Sequence, residues 1–172
     1  AVGALSFDET SRQYLPAATK RTHLEELFAL FDGLRGKGTT GLRESMQVLG
    51  ERARSGCMFL LFTDMLGADE EFLNFLRVLR SRRYEITVFH VMDPDELELP
   101  YEGLTLFEGL EEEGELLVDP DDLRSSYQDV MQAHLNMIET QCHDGNLDYF
   151  RFLTTEPIEE VALRFLRARG GR

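Results

Sequence analysis

Two apolar segments on either side of an amphipathic helix constrain the fold of this chain most strongly. Residues 57–63 (CMFLLFT) are almost continuously apolar, and residues 85–92 (EITVFHVM) form a second run of the same kind. Strands of this composition are typical of parallel sheets that are covered on both faces. Between them, residues 68–82 place apolar side chains at helical spacing, namely Phe72, Phe75, Leu76 and Leu79. The sequence therefore predicts a right-handed strand–helix–strand unit.

The amino-terminal third of the chain predicts a hairpin and two helices. Val2–Phe7 and Arg12–Leu15 are strand candidates joined by a turn, and Pro16 is expected to end the second strand. Thr22 and Glu25 have the spacing of a capping box at the start of a helix. A second helix is predicted after the glycines of the next loop, with its apolar face formed by Leu42, Met46, Leu49 and Ala53.

The carboxyl-terminal half continues the alternation of helices and strands. Asp119 and Pro120 suit the N-cap and the first position of a long helix, which Gly145 is expected to end. Tyr149–Leu153 is the last strand candidate, and Pro157 opens a closing helix. Alternating strands and helices predict an α/β fold, with a doubly wound, mostly parallel sheet flanked by helices, of Rossmann-like kind.

Residues 95–118 interrupt this alternation with an acidic stretch. Leu104–Phe107 and Glu115–Val118 are short strand candidates around glycines, which predicts a small β-hairpin inserted into the fold. The run of carboxylates is open to two interpretations. It is either a docking segment for a partner or, as is more common, a solvated loop.

Composition narrows the functional classes. The length and an apolar content of 42% suit one domain over residues 1–172. The formal net charge of −14 argues against nucleic acid as a partner, because phosphate binding needs a basic face. Cys57 and Cys142 are expected to be core thiols in a reducing compartment, and His90 and His134 to be buried packing residues. With no transmembrane run or signal peptide in view, a cytoplasmic location is expected.

Polar residues occupy the predicted strand ends and one loop before a helix. They are Asp8, Thr39, Thr40, Asp64, Asp93 and Thr154. Ligands of such sheets bind beyond the carboxyl ends of the strands. Carboxylate and hydroxyl oxygens are also the ligands that Mg²⁺ prefers. Because the same residue types make good turns and caps, the pattern alone leaves both a metal site and a structural role open.

Several strings, taken in order, resemble one bacterial family. They are VGALSFDE, YLP, KGTTGLRESMQVL, FLLFTDML, YEITVFHVMDPDELELP, LLVDPDDLRSSYQDVMQAH and YFRFLTTEPIEEVALRFLRAR. In this order they are similar to the domain of unknown function 58 family, whose core resembles a von Willebrand factor A domain. The similarity covers nearly the whole chain. It implies a central, mostly parallel sheet flanked by helices.

The resemblance also implies a metal-ion-dependent adhesion site made of three pieces. Thr40, in the string TGL, matches its loop Thr, and Asp64, in FTD, matches its strand-end Asp. The third piece, an Asp-x-Ser-x-Ser after the first strand, does not occur here, because the match begins at the family's second strand. By this resemblance the domain over residues 1–172 is incomplete at its amino terminus, and Mg²⁺ binding by Thr40 and Asp64 alone would be weak. We expect the missing strand to be covered by an upstream segment or by another chain, such as a second copy.

The function that this resemblance implies is binding. Members of the family resemble partners of MoxR-type AAA ATPases, which implies a non-enzymatic protein-binding or scaffold module in protein maturation or complex assembly. The sequence contains no G-x-x-x-x-G-K-[ST] phosphate loop and no G-x-S-x-G nucleophile elbow. The family often carries a hydrophobic segment upstream, so a membrane anchor on the full-length protein stays open.

An enzyme and a metal-free scaffold are the alternatives. Asp93 and Asp95 follow an apolar strand in the Asp-x-Asp arrangement of phosphatases of the haloacid dehalogenase class. Leu97 stands where that pattern requires Thr or Val, so the match is partial. A Mg²⁺-dependent phosphotransfer enzyme is therefore the second hypothesis, and a scaffold without metal is the third.

Overall fold

The structure is a computed structural model that describes residues 1–6, 13–34, 48, 50–52, 56–66, 70–109 and 114–171, with the backbone alone at residue 71. The chain divides into two compact units, one of residues 1–53 with 107–116 and the other of residues 54–106 with 117–172. The helix predicted over residues 42–53 lies mostly outside the described residues. Its described members, Val48, Gly50, Glu51 and Arg52, are helical.

The first unit contains the predicted antiparallel hairpin. Strand β1 (Val2–Ser6) pairs with strand β2 (Gln13–Ala18). The register shifts between Val2 and Ala4, which marks a β-bulge. Pro16 lies in the stretch of β2 opposite this shift and does not end the strand, so that expectation was wrong. A bulge accepts proline because the ladder is already interrupted there.

Helix α1 (Arg21–Asp32) follows the hairpin but begins differently from the prediction. Its N-cap is Lys20, which makes no side-chain capping bond, and Thr22 already lies in the first turn. The predicted capping box was therefore wrong. The buried ring of His23 fixes the helix instead, because its Nε2 donates to the carbonyl of Val2 at 2.7 Å. A long-range bond thus replaces the local cap.

The second unit is built on a parallel three-stranded sheet, which confirms the predicted fold class. Strand β3 (Met58–Thr63) pairs with β4 (Glu85–Met92), and β4 pairs with β7 (Asp148–Leu153). Each pairing is parallel and in continuous register. The strand–helix–strand unit from β3 to β4 is the one that the apolar segments predicted.

Helices α2 (Glu70–Ser81), α4 (Pro120–Asp144) and α5 (Ile158–Gly170) flank this sheet. Helix α2 connects β3 to β4, and Arg77 of α2 donates to the Gln141 carbonyl of α4 at 3.1 Å. On the opposite face, Phe165 packs edge-on against Phe89 and Phe150. Among the described residues, no helix is long and apolar enough to cross a membrane.

A short helix and a hairpin separate β4 from α4. Helix α3 (Pro94–Glu98), which the sequence pattern did not predict, comes first. The strands β5 (Thr105–Glu108) and β6 (Glu115–Val118) then form a two-stranded sheet, which confirms the strands of the predicted insertion to within one residue. The assignment of residues 1–172 to a single domain stays a prediction.

Helices α4 (Pro120–Asp144) and α5 (Ile158–Gly170) have the predicted boundaries. The Asp119 carboxylate accepts from the amide of Asp121 at 3.2 Å and so caps α4. Gly145 ends α4 in a right-handed conformation. A Cβ at this position would lie 2.8 Å from Cγ of Arg77, so close packing requires the glycine rather than a left-handed backbone.

The two cysteines and two histidines that were expected to be buried differ in their burial. Cys142 is fully buried, and burial raises the pKa of its thiol to about 11, which confirms it as an inert core residue. Cys57 is only half-buried, so that expectation was wrong, and neither cysteine forms a disulfide. His90 is buried as expected, whereas His134 is half-buried, so the expectation for His134 was wrong.

The prediction that β3 is covered on both faces was wrong. Phe59 and Leu61 are buried, but their neighbours on the opposite face, Met58, Leu60 and Phe62, are 41%, 42% and 56% exposed. The physical reason is packing, because Phe165 of α5 contacts Phe89 of β4 and Phe150 of β7 on this face, at the far side of the sheet from β3.

The aromatic cluster on this sheet gives a direct test of the fold. Phe89 stacks on Phe62 and also contacts Phe150, Phe152 and Phe165. We expect Phe89→Ala to lower the free energy of unfolding by about 3–5 kcal/mol through loss of buried contacts and the cavity left behind. Phe62→Ala, at the exposed end of the stack, is the matched control and should cost much less. Equal losses in urea unfolding would contradict this arrangement.

Candidate functional site

The carboxyl ends of β3, β4 and β7 lie at one edge of the sheet, because the three strands are parallel. The predicted polar residues Asp64, Asp93 and Thr154 directly follow these strands. The structure brings two of them into contact, since the Thr154 hydroxyl donates to Oδ2 of Asp93 at 2.8 Å. We call the turns after the three strands the carboxyl edge.

Asp93 caps helix α3. Its Oδ1 accepts from the amide of Asp95 at 3.0 Å, while the Glu96 carboxylate reaches back to the amide of Asp93. The hydrogen bonds from Asp95 and then Thr154 lower the pKa of Asp93. Both carboxylate oxygens are therefore engaged by other groups of the protein, as expected of a strand-end Asp that caps a turn.

The pKa of Glu96 responds to the charges around it at the carboxyl edge. Burial raises its pKa, and the nearby charges of Asp64 and Asp93 raise it further, while the hydrogen bond to the Asp93 backbone opposes them. Asp64, Asp93 and Glu96 are thus close enough to interact. The edge is negative, which is the sign that attracts a cation or a basic partner.

Asp64 lies in a tight turn after β3. Its Oδ1 accepts from the amide of Leu66 at 3.0 Å, and the hydroxyl of Thr63 accepts from the amide of Met65 at 3.0 Å. Met65 has a φ of 59°, unusual for a residue with a long side chain, and this side chain is fully buried. The strained Met65 backbone is held by its buried side chain and leaves Asp64 exposed at the surface.

His90 links this turn to the last strand and is more than a packing residue. Its ring is 1% exposed, and the Tyr149 hydroxyl lies 2.7 Å from Nδ1. Burial lowers the pKa of His90, although its hydrogen bond to the Asp64 backbone opposes the shift. Burial also raises the pKa of Tyr149 to about 12. A neutral His90 therefore accepts from Tyr149 and donates to the Asp64 backbone.

The other predicted site residues are not brought together by the described structure. Thr40, Thr39 and Asp8 lie outside the described residues, so the approach of Thr40 to Asp64 stays a prediction. Asp95 is exposed and accepts from the Tyr101 hydroxyl at 3.2 Å. In the part of the chain that the structure describes, no three His, Cys, Asp or Glu side chains form a group that could hold a metal ion.

Sequence reasoning missed a set of side chains on α4 that hold the segment after β4. The Arg124 guanidinium donates to the carbonyls of Leu99 at 3.1 Å and Tyr101 at 2.7 Å. The Tyr127 hydroxyl donates to the carbonyl of Glu96 at 2.7 Å. A sequence signal for Tyr127 was present, because this residue ends the Asp-Pro-x₆-Tyr string at the start of the helix. Its long-range partner could not be predicted from spacing.

Surface pockets lie elsewhere in the second unit. A pocket of about 370 Å³ is lined by Glu139, Thr140, His143, Leu147 and Tyr149. Another of about 340 Å³ has Arg80, Glu85 and Arg169 in its wall. Neither includes Asp64, Asp93 or Glu96.

The buried His90 gives a test by pH. Its folded pKa is lower than the unfolded value of 6.5, so its contribution to stability is present above 6.5 and is lost as the pH falls towards the folded pKa. We expect the free energy of unfolding to decrease between about pH 7 and pH 5, and His90→Gln to flatten this decrease. Tyr149→Phe, which keeps the imidazole, is the matched control and should retain it. An unchanged slope in His90→Gln would contradict the assignment.

Comparison with known proteins identifies the family of this chain and a solved structure with a similar fold. The structure of the conserved hypothetical protein BatB from Bacteroides thetaiotaomicron aligns with a TM-score of 0.56 and 13% sequence identity, over 99% of this chain and 79% of that one. At this identity the similarity shows the fold alone. No curated protein matches the sequence. The family model described as "Protein of unknown function DUF58" matches residues 1–137, and the chain therefore belongs to the DUF58 family.

Proposed function

We propose that the chain is a non-enzymatic protein-binding module of von Willebrand factor A type, and that the carboxyl edge contacts the partner. The observation that carries this proposal is the engagement of both Asp93 carboxylate oxygens by Asp95 and Thr154. A nucleophile must present a free oxygen to its substrate, whereas a capped turn presents a fixed shape. The strained, anchored turn at Met65 adds a second rigid surface beside it.

The partner that we propose is a MoxR-type AAA ATPase, in protein maturation or complex assembly. Membership of the DUF58 family supports this, together with the resemblance of such members to ATPase partners. The negative carboxyl edge favours a basic face on the partner. The free cysteines suit a reducing compartment, and we place the encounter in the cytoplasm.

A divalent cation at Asp64 is the finer part of the proposal. Asp64 fits this role because its side chain is exposed, only Oδ1 is engaged among the described residues, and neighbouring carboxylates make the edge negative. Asp64 and Thr40 would supply oxygen ligands to Mg²⁺. The bound ion would offer an open position to a carboxylate of the partner.

The edge strand β3 supports a further element of binding. Among the described strands, β3 pairs only with β4, and Met58, Leu60 and Phe62 are exposed on one face. Uncovered apolar edge strands readily pair with another strand. We propose that another strand, for example from a second copy of this protein, covers this edge in the working assembly.

Calorimetric titration with Mg²⁺ tests the cation. We expect weak, saturable binding that Asp64→Ala abolishes, because one of the two proposed ligands is then lost. Asp129→Ala removes an exposed carboxylate from the middle of α4 and should leave the binding heat unchanged. If the wild-type chain releases no heat, the metal-free scaffold is favoured.

Binding of a purified MoxR-type ATPase tests the partner. We expect an interaction that weakens roughly tenfold in Asp64→Ala, because one coordination contact at an interface contributes about 1.4 kcal/mol. Asp129→Ala is again the control. An ATPase that binds wild type and Asp64→Ala equally would place the contact elsewhere, and no binding at all would contradict the proposed partner.

The phosphotransfer hypothesis predicts a different result. With a generic phosphomonoester and Mg²⁺, we expect no turnover, because Asp93 is held as a helix cap. Turnover that disappears in Asp93→Asn would overturn the binding module in favour of the enzyme. Asp93→Asn preserves the capping geometry, since Asn is also a good N-cap. Loss of activity could then not be attributed to unfolding of the turn.

A further inference from the structure

The net negative charge of this chain arises in one segment. Residues 84–123 contain 14 Asp and Glu residues and neither Lys nor Arg. Outside the segment, 18 acidic residues balance 18 basic ones. The formal net charge of −14 therefore belongs to 40 consecutive residues. A partner that responds to this charge will be directed to that segment rather than to the whole surface.

The same segment exposes large apolar side chains. Leu104, directly before β5, Leu106 in β5 and Leu117 in β6 are 71%, 48% and 58% exposed. The β5–β6 connection is too short for a parallel crossover, so the strands are antiparallel. Counting back from the hydrogen bond between Gly109 and Gly114 sets Leu106 beside Leu117. We call Leu104, Leu106 and Leu117 the hairpin face.

The segment that leads into the hairpin face is held in place. Arg124 fixes the backbone at Leu99 and Tyr101, and Gln128 donates to the carbonyl of Glu98 at 3.3 Å. These bonds tie the segment to the 25-residue helix α4. They order the backbone that precedes the hairpin, so this part of the chain loses less conformational entropy when a partner docks.

We propose that the hairpin face docks a basic amphipathic helix of a partner protein. Its leucines are exposed on a two-stranded sheet and offer apolar contact to a partner. Residues 84–123 carry 14 carboxylates and neither Lys nor Arg, which favours Lys or Arg on the partner and disfavours acidic surfaces and nucleic acid. This inference does not depend on a cation at Asp64, so either can fail without the other.

The test uses the full chain and a peptide of roughly 18 residues, composed of leucine and lysine at helical spacing. A scrambled peptide of the same composition controls for charge alone. We expect the amphipathic peptide to bind more tightly than the scrambled one. The double substitution Leu106→Ser with Leu117→Ser should weaken binding roughly tenfold, as loss of two apolar contacts does. Leu163→Ser with Leu166→Ser, two exposed leucines of α5, is the matched control and should change nothing.

A second pair of variants tests the charge without touching the leucines. Glu98→Gln with Glu102→Gln should weaken binding and reduce its salt dependence, whereas Glu159→Gln with Glu160→Gln on α5 should not. Equal affinity for the two peptides would overturn the proposal, because charge alone would then explain binding. Loss of binding in both leucine variants would also overturn it. A thermal melt of each variant identifies any that fails to fold, and the charge variants then decide the result.

Discussion

The central strand β4 is the constraint on which the second unit depends. It is buried on both faces, so its backbone groups must pair with β3 on one side and β7 on the other. Parallel pairing then brings three strand ends to one edge, although they are far apart in the sequence. Phe89 shows the consequence, because it contacts aromatic rings from β3, β7 and α5. Every feature of the carboxyl edge follows from this placement.

The carboxyl edge is constructed from polar groups that satisfy one another. Asp93 caps α3 and binds Thr154, which joins the turn after β4 to the turn after β7. His90 joins the Asp64 backbone to Tyr149 beneath these turns. Buried polar groups are costly when unpaired and specify one arrangement when fully paired. The result is a surface of fixed shape, which suits the proposed binding module.

Two surfaces then serve the proposed binding in different ways. The carboxyl edge offers a small number of oriented oxygens, whereas the hairpin face offers exposed leucines within a segment that carries the entire net charge. The bonds from Arg124 and Tyr127 hold the segment that connects β4 to the hairpin. A mutation in one surface should therefore leave the other intact. The two proposals can be separated by experiment.

The sequence by itself determined the elements whose signals are local. Continuous apolar runs predicted β3 and β4, and Asp119 with Pro120 predicted the start of α4. Contacts at long range decided the rest. Asp93 and Thr154 are 61 residues apart, and His90 and Tyr149 are 59 apart, so no spacing rule could pair them. The packing of α5 likewise decided that β3 is covered on one face only. Propensity and periodicity act over a few residues, whereas the pairing of strands and the burial of polar groups depend on the whole fold.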